Sequence, residues 1–309
     1  VNFSSRTKFP ERVSTAALFT GIALFVAVGV HHGVAKIKNI ARASAEVQIP
    51  EQKIVRSTPS RVPGISARAY LVANLETGEV YAEKDSLKVY PIASITKLMT
   101  AVAANESMES DHRVKISESS LQAYGNSANL KKDEVFTLGN IFYPLLMVSS
   151  NDAALAIAEE YGVSRFVSRM NNQAASIGME RSNFEDPAGI SPKNTSTASD
   201  LFILASYLYK KKSFLLDITR QPEKLVASSL KEHLISNMNI FSSEKSFLGG
   251  KTGFTISAKE TFLSLFEIEK DGRKVPVAFI VLGSDDRKKD VGVLLEWVRS
   301  DSSGKVASL

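Results

Sequence analysis

The sequence predicts an α+β domain in which one antiparallel sheet, built from both ends of a globular segment, is flanked by helices and carries a helical subdomain. Three observations predict it. Strand-like runs open the segment at Ala67–Leu75 and Glu79–Glu83. Strand-like runs close it at Leu248–Thr252, Thr261–Ile268 and Val275–Leu282. Between them the apolar spacing is helical. An uncharged apolar segment precedes the whole arrangement and reads as one N-terminal transmembrane helix.

That segment runs over 13–35 and contains no formally charged residue if His31 and His32 are neutral. A helix needs ~20 apolar residues to cross a bilayer, and this stretch supplies them. Arg6, Lys8 and Arg12 in the short basic tail 1–12 precede it, and Lys36, Lys38 and Arg42 follow, so the positive-inside rule gives a tie. Ala43-Ser44-Ala45 resembles a small-residue cleavage site but lies far beyond the apolar centre. An uncleaved anchor is therefore expected, with secretion as the outcome if the segment is removed. Residues 36–61 read as a linker, mixing small, polar and charged residues with Pro50 and Pro59 and showing no sustained apolar period. The globular domain is expected over 62–300, with a tail over 301–309.

Within the domain, Ala67–Leu75 is rich in β-formers, and Glu76-Thr77-Gly78 signals the turn into Glu79–Glu83. From Ser94 to about Met108 the pattern becomes helical, with Leu98, Met99, Val102 and Ala103 as its apolar face. Helices are predicted over Leu138–Val148, Ala153–Tyr161, Val163–Ile177 and Ala198–Lys210. Asp271-Gly272 marks a hairpin between the last two strands. An amphipathic helix over about Asp290–Arg299 closes the domain.

Composition excludes several kinds of chemistry. The absence of cysteine removes disulfides, thiolate catalysis and cysteine-ligated zinc. The formal charge of +5 is mild, and no basic run carries interleaved aromatics, so nucleic acid is not an expected partner. No H-E-x-x-H occurs, so a zinc protease of that type is not expected. His112 and His233 are the histidines available to a Ser-His-Asp triad, but a lone histidine is ordinarily a surface or packing residue.

The chemistry resides in three short motifs. Ser94-Ile95-Thr96-Lys97 opens a helix, and a spacing of three sets both side chains on one face. A serine hydroxyl needs a base to become a nucleophile, and a lysine can act as one only if its pKa is lowered. Ser149-Ser150-Asn151 lies between two predicted helices, where helix capping is the simpler reading of the triplet by itself. Lys251-Thr252-Gly253 ends a strand and offers a cation, a hydroxyl and a backbone open to close approach. Gly250-Lys251-Thr252 resembles the end of a P-loop, but Lys245 stands where that motif needs glycine and strands follow instead of a helix.

Together the three motifs form the set found in serine β-lactamases and penicillin-binding proteins. Their surroundings are similar to the D-alanyl-D-alanine carboxypeptidases, the low-molecular-mass serine penicillin-binding proteins. The stretch Pro91 to Thr100 (PIASITKLMT) resembles that family's active-site segment, LLMVSSNDAA (145–154) its second motif, and GGKTGFT (249–255) its third. FEDPAGI (184–190) with STASDL (196–201) resembles another recurring segment. The resemblance covers roughly residues 62–300. It implies the serine β-lactamase/DD-peptidase-like fold, with the site between the sheet and the helical region. It implies that Ser94 attacks the carbonyl between two D-alanines of a peptidoglycan stem peptide, with Lys97 as base. Ser149 and Asn151 would line the cleft, Lys251 would tune its electrostatics, and Thr252 would hold the terminal carboxylate. Gly253 would give close approach, and the backbone N–H groups of Ser94 and Phe254 would form the oxyanion hole. It implies that no metal or organic cofactor is needed, and it implies covalent inhibition by β-lactam antibiotics, a monomer, and a catalytic domain outside the cytoplasm on a single-pass anchor.

Three other readings stand beside this one. A class A β-lactamase would need a deacylating glutamate, and Glu185 is followed by Asp-Pro-Ala-Gly instead of the expected context. The motifs do not separate a carboxypeptidase from an endopeptidase on wall cross-links. A non-catalytic module binding wall peptides would be marked by loss of Ser94 or Lys97, and both are present.

Overall fold

The computed structural model describes residues 54–301, apart from 57–61, 63, 124, 126–127 and 271. The apolar segment 13–35 and the basic tail lie outside the described residues, as does most of the linker. No helix among the described residues is long and apolar enough to cross a membrane.

In chain order, β1 (Val55–Arg56) is a two-residue edge strand arising within the stretch read as linker. Next come β2 (Ala69–Asn74) and β3 (Glu79–Lys84). Asn74 closes the turn between them by accepting from the N–H groups of Glu76 and Thr77 at 2.8 and 3.1 Å. The short β4 (Tyr90–Pro91) leads into a 3₁₀ turn, Ala93–Ile95, and then α1 (Thr96–Asn105). The helical region follows, with the small ribbon β5 (Arg113–Lys115) and β6 (Val135–Thr137), then α2 (Leu138–Met147), α3 (Asn151–Tyr161) and α4 (Val163–Ser176). β7 (Thr195–Ser196) pairs with β4, and α5 (Ala198–Lys211) and α6 (Ser213–Thr219) return the chain to the sheet. A hairpin of β8 (Glu223–Ala227) and β9 (Glu232–Ser236) precedes the long strands β10 (Phe247–Thr255), β11 (Lys259–Lys270) and β12 (Arg273–Ser284), and α7 (Arg287–Asp301) ends the domain.

The main sheet has the order β1-β3-β2-β12-β11-β10 and is antiparallel except for the β1–β3 pair. Strands from both ends of the domain thus meet at β2–β12, as expected. All six residues of β2 are buried, because both faces of the sheet are covered. Tyr70, Val72, Phe262, Phe266 and Phe279 form one core with Val291, Leu294, Leu295 and Val298 of α7. Phe266 meets Phe279 and Phe241 edge to face, with centroids 5.6 and 5.4 Å apart. Each fully buried aromatic there contributes roughly 2 kcal/mol. On the opposite face α5 packs on β2 and β12. Covering both faces explains why β2 and β12 read as continuous apolar runs.

Two expectations need correction. The predicted helix over Ser94–Met108 begins two residues later, at Thr96, so Ser94 belongs to the 3₁₀ turn. Nor is α1 amphipathic: Thr96 through Ala104 are all buried, because the helix runs through the centre of the domain with other helices around it. The β8–β9 hairpin had no sequence signal, since β8 is exposed at four of its five positions. It is fastened from behind instead. The fully buried Glu134 carboxylate accepts from Ser228 Oγ at 2.5 Å and pairs with His233 Nε2 at 2.6 Å, which makes His233 a structural residue.

The start of α7 is tied to the beginning of the domain by Asp290, which is fully buried. Its carboxylate accepts from Ser66 N (2.9 Å), Ser66 Oγ (2.8 Å) and Ser284 Oγ (2.6 Å). Replacing it with alanine strands these donors. Asp290→Ala is therefore expected to destabilise the domain by about 3 kcal/mol, read as a lower urea midpoint at unchanged slope.

Candidate active site

Ser94 is presented by a turn that the backbone does not adopt freely. Ala93, just before it, sits at φ +48°, a left-handed conformation that L-residues hold only when their surroundings impose it. Two glycines do the imposing. A Cβ on Gly253 of β10 would stand 2.5 Å from Thr261 Oγ1 and 2.8 Å from Ser94 N. A Cβ on Gly189, at φ +82°, would overlap the Ala93 carbonyl. Thr261 Oγ1 also donates to the Ile92 carbonyl at 3.0 Å. The Ser94 turn is thereby wedged between the edge strand of the sheet and the loop after α4.

One helical turn on, Lys97 is fully buried. Its Nζ lies 3.0 Å from Ser94 Oγ, 2.7 Å from Asn151 Oδ1 and 2.6 Å from the Ala188 carbonyl. Burial lowers its pKa to about 7, against an opposing pull from the Asp186 carboxylate. A neutral lysine amine has two hydrogens and one lone pair. The Ala188 carbonyl and Asn151 Oδ1 take the hydrogens, which leaves the lone pair for the Ser94 hydroxyl. This is the geometry of a general base on its nucleophile.

The second motif serves both readings that its sequence allowed. Ser150 caps α3, accepting from Ala153 N at 3.1 Å, while Asn151 reaches Lys97. Ser149 occupies the joint between α2 and α3 at φ +59° and is not among the partners of Lys97.

From the third motif, Lys251 is buried and donates to the Thr252 carbonyl at 2.7 Å. Burial pushes its pKa well below the ordinary value, helped by the charges of Lys97 and Arg287. Thr252 is largely buried, whereas the Phe254 side chain is 64% exposed. Ser94, Lys97 and Asn151 are thus joined by hydrogen bonds. Gly253 packs on the Ser94 turn, and Lys251 lies within electrostatic reach of Lys97.

Sequence reasoning missed three participants. The Ala188 carbonyl has no side-chain signature. Asp186 lies in a segment noted only for its family likeness. Arg287, whose Nη1 donates to the Gly253 carbonyl at 2.9 Å, sits at the start of α7, where nothing marks it in the sequence. Glu185 pairs with Lys193 at 3.2 Å with 43% of its side chain exposed, as fits a surface loop residue.

Two outcomes follow from the lowered pKa of Lys97. Acylation by a penicillin should rise as pH passes through about 7, because only the neutral amine accepts the serine proton; Lys97→Arg, which stays charged, should lose about 10²–10⁴-fold. In the unfolded chain the same lysine titrates near 10.5, so between these values the unfolded state binds more protons and stability grows with pH. Below pH 7 the buried amine costs up to about 5 kcal/mol. Lys97→Met should accordingly gain more stability at pH 6 than at pH 9, measured by urea denaturation.

Comparisons with known proteins point to one family. The family pattern described as D-alanyl-D-alanine carboxypeptidase matches residues 56–286. The chain is 29% identical to D-alanyl-D-alanine carboxypeptidase DacB2 of Mycobacterium tuberculosis over 71% of this chain and 76% of that one. It is 31% identical to a D-alanyl-D-alanine endopeptidase of Pseudomonas aeruginosa over 76% of this chain and 78% of that one. Among solved structures, a D-alanyl-D-alanine carboxypeptidase from M. tuberculosis superposes with a TM-score of 0.70 at 26% identity, covering 80% of this chain and 96% of that one. Penicillin-binding protein D2 of Listeria monocytogenes in its ampicillin-bound form superposes at 0.66 and 28% identity, covering 76% and 98%.

Proposed function

The chain belongs to the D-alanyl-D-alanine carboxypeptidase family, and we propose that it removes the terminal D-alanine from peptidoglycan stem peptides through an acyl-enzyme on Ser94. The observation that carries this reading is the buried Lys97 amine, hydrogen-bonded at once to Ser94 and Asn151. Lys97 accepts the Ser94 proton as Oγ bonds to the carbonyl carbon between the two D-alanines. The resulting oxyanion is received by the N–H groups of Ser94 and Phe254, a role supported by the contact of Gly253 with Ser94 N. Collapse breaks the peptide bond, and the proton passes to the departing D-alanine nitrogen, with Asn151 and Ser149 lining the path. Water then adds to the ester, returns its proton through the same groups and frees Ser94.

The substrate's terminal carboxylate is bound by Thr252 and Lys251. The crowding of Lys97, Lys251 and Arg287 supports this, because an incoming carboxylate supplies the negative charge that would relieve their mutual repulsion. The same attack on a β-lactam carbonyl would leave a stable acyl-enzyme, so these drugs are expected inhibitors. The uncharged run 13–35 supports a single-pass membrane anchor, and a peptidoglycan substrate calls for a domain outside the cytoplasm.

Cleavage of wall cross-links is a second reading, favoured by the similarity to proteins named D-alanyl-D-alanine endopeptidases in Escherichia coli and P. aeruginosa. Residues 54–309 should be incubated separately with a pentapeptide ending in D-Ala-D-Ala and with a cross-linked muropeptide dimer. Release of D-alanine from the first, lost at least about 10³-fold in Ser94→Ala, is the expected result. Cleavage of the dimer alone would favour the endopeptidase reading. Turnover of neither, in a folded protein that a fluorescent penicillin does not label, would overturn both.

A further inference from the structure

The loop between α4 and β7 contributes no residue to the three motifs, yet at three successive positions it touches the Ser94 turn or the helix α1 that follows it. The Pro187 carbonyl accepts from Thr100 Oγ1 at 2.6 Å. The Ala188 carbonyl accepts from Lys97 Nζ at 2.6 Å. Gly189 lies flush against the Ala93 carbonyl. A loop carbonyl can orient a lysine only if the loop is itself held, and one side chain does most of the holding. Asp186 Oδ1 accepts from the backbone N–H groups of Ala188 (2.8 Å), Gly189 (2.6 Å) and Ile190 (3.2 Å). Its Oδ2 accepts from Ser191 N (2.7 Å) and from Asn194 Nδ2 (2.6 Å), Asn194 being fully buried. Four backbone donors and one amide thus converge on a single carboxylate.

We propose that Asp186 is a positioning residue for catalysis, folding the 186–194 loop into a nest that seats the Ala188 carbonyl on Lys97 and so aims the Lys97 lone pair at Ser94. A carboxylate suits this place better than an amide. It can accept at both oxygens, whereas an asparagine presents hydrogens at one of them to donors that already point inward. Its charge also acts on the site. The charged group acting on Lys97 is Asp186 from the loop, which favours the ammonium, while Lys97 in turn disfavours the ammonium of Lys251 on β10. Asp186 therefore sets both where the amine sits and how readily it gives up its proton.

The inference rests on Lys97 acting as the base for Ser94, and the test separates the two. Acylation by a fluorescent penicillin is followed from pH 5 to 10 in the wild type, Lys97→Arg, Asp186→Asn and Asp186→Ala, with thermal unfolding of each. If the wild type has no acidic limb, or Lys97→Arg acylates normally, the base assignment fails and this inference fails with it. If both behave as expected, Asp186→Asn should move the acidic limb about one pH unit lower, because the charge favouring the ammonium is gone. Asp186→Ala, which loses every acceptor of the nest, should also lower the plateau at least about tenfold. A folded Asp186→Asn with an unmoved or raised limb overturns the proposal while leaving Lys97 as base. Should Asp186→Asn not fold, Asp186→Glu replaces it. That variant keeps the charge but is too long to hold all four N–H groups, so its limb should stay while its plateau falls. An undiminished plateau there overturns the proposal.

Discussion

A lysine amine with no water around it is unstable as an ammonium unless carboxylates or dipoles replace the lost hydration. Lys97 is buried completely, and its three contacts are a serine hydroxyl, an amide oxygen and a backbone carbonyl. Among the described residues no carboxylate hydrogen-bonds to it directly. The environment is polar enough to hold the amine in one direction and too dry to keep it fully charged. Much of the surrounding structure serves this one placement. The helix that carries Lys97 is buried on every side, Asn151 is delivered by a helix capped at the residue before it, and the Ala188 carbonyl is delivered by a loop gathered around Asp186.

Close approach of backbones is the second requirement. An edge strand can support a nucleophile on the neighbouring turn only if nothing stands between them. Gly253 meets that condition on the sheet side and Gly189 on the loop side, and a Cβ at either position would press on the Ser94 turn. The left-handed backbone of Ala93 and Ser149 belongs to the same bargain between local strain and placement. Sheet and helical region therefore act as two rigid walls, with the three motifs set where the walls meet.

Much of this was legible in the sequence. Apolar runs bounded by turn residues marked the strands of the main sheet, because strands covered on both faces are unbroken in hydrophobicity. The helices were legible because amphipathic spacing survives without knowledge of partners. Where partners decide, the reading went astray. The helix after Ser94 was read with one apolar face because its small residues and threonines do not announce burial, and β8–β9 was missed because its anchor is a buried pair between Glu134 and His233, 99 residues apart.

Residue types at fixed spacing were enough to name the chemistry of the site: a serine three positions before a lysine, a polar triplet between helices, and a cation, hydroxyl and glycine on a strand. Spacing along the chain is a local property, and so is one helical turn between Ser94 and Lys97. The tertiary structure alone decided that Asn151 rather than Ser149 reaches the lysine, that a backbone carbonyl is its third partner, and that Asp186 and Arg287 belong to the site. These depend on contacts between residues 34 to 91 positions apart, and on backbone groups that every residue shares and no sequence distinguishes.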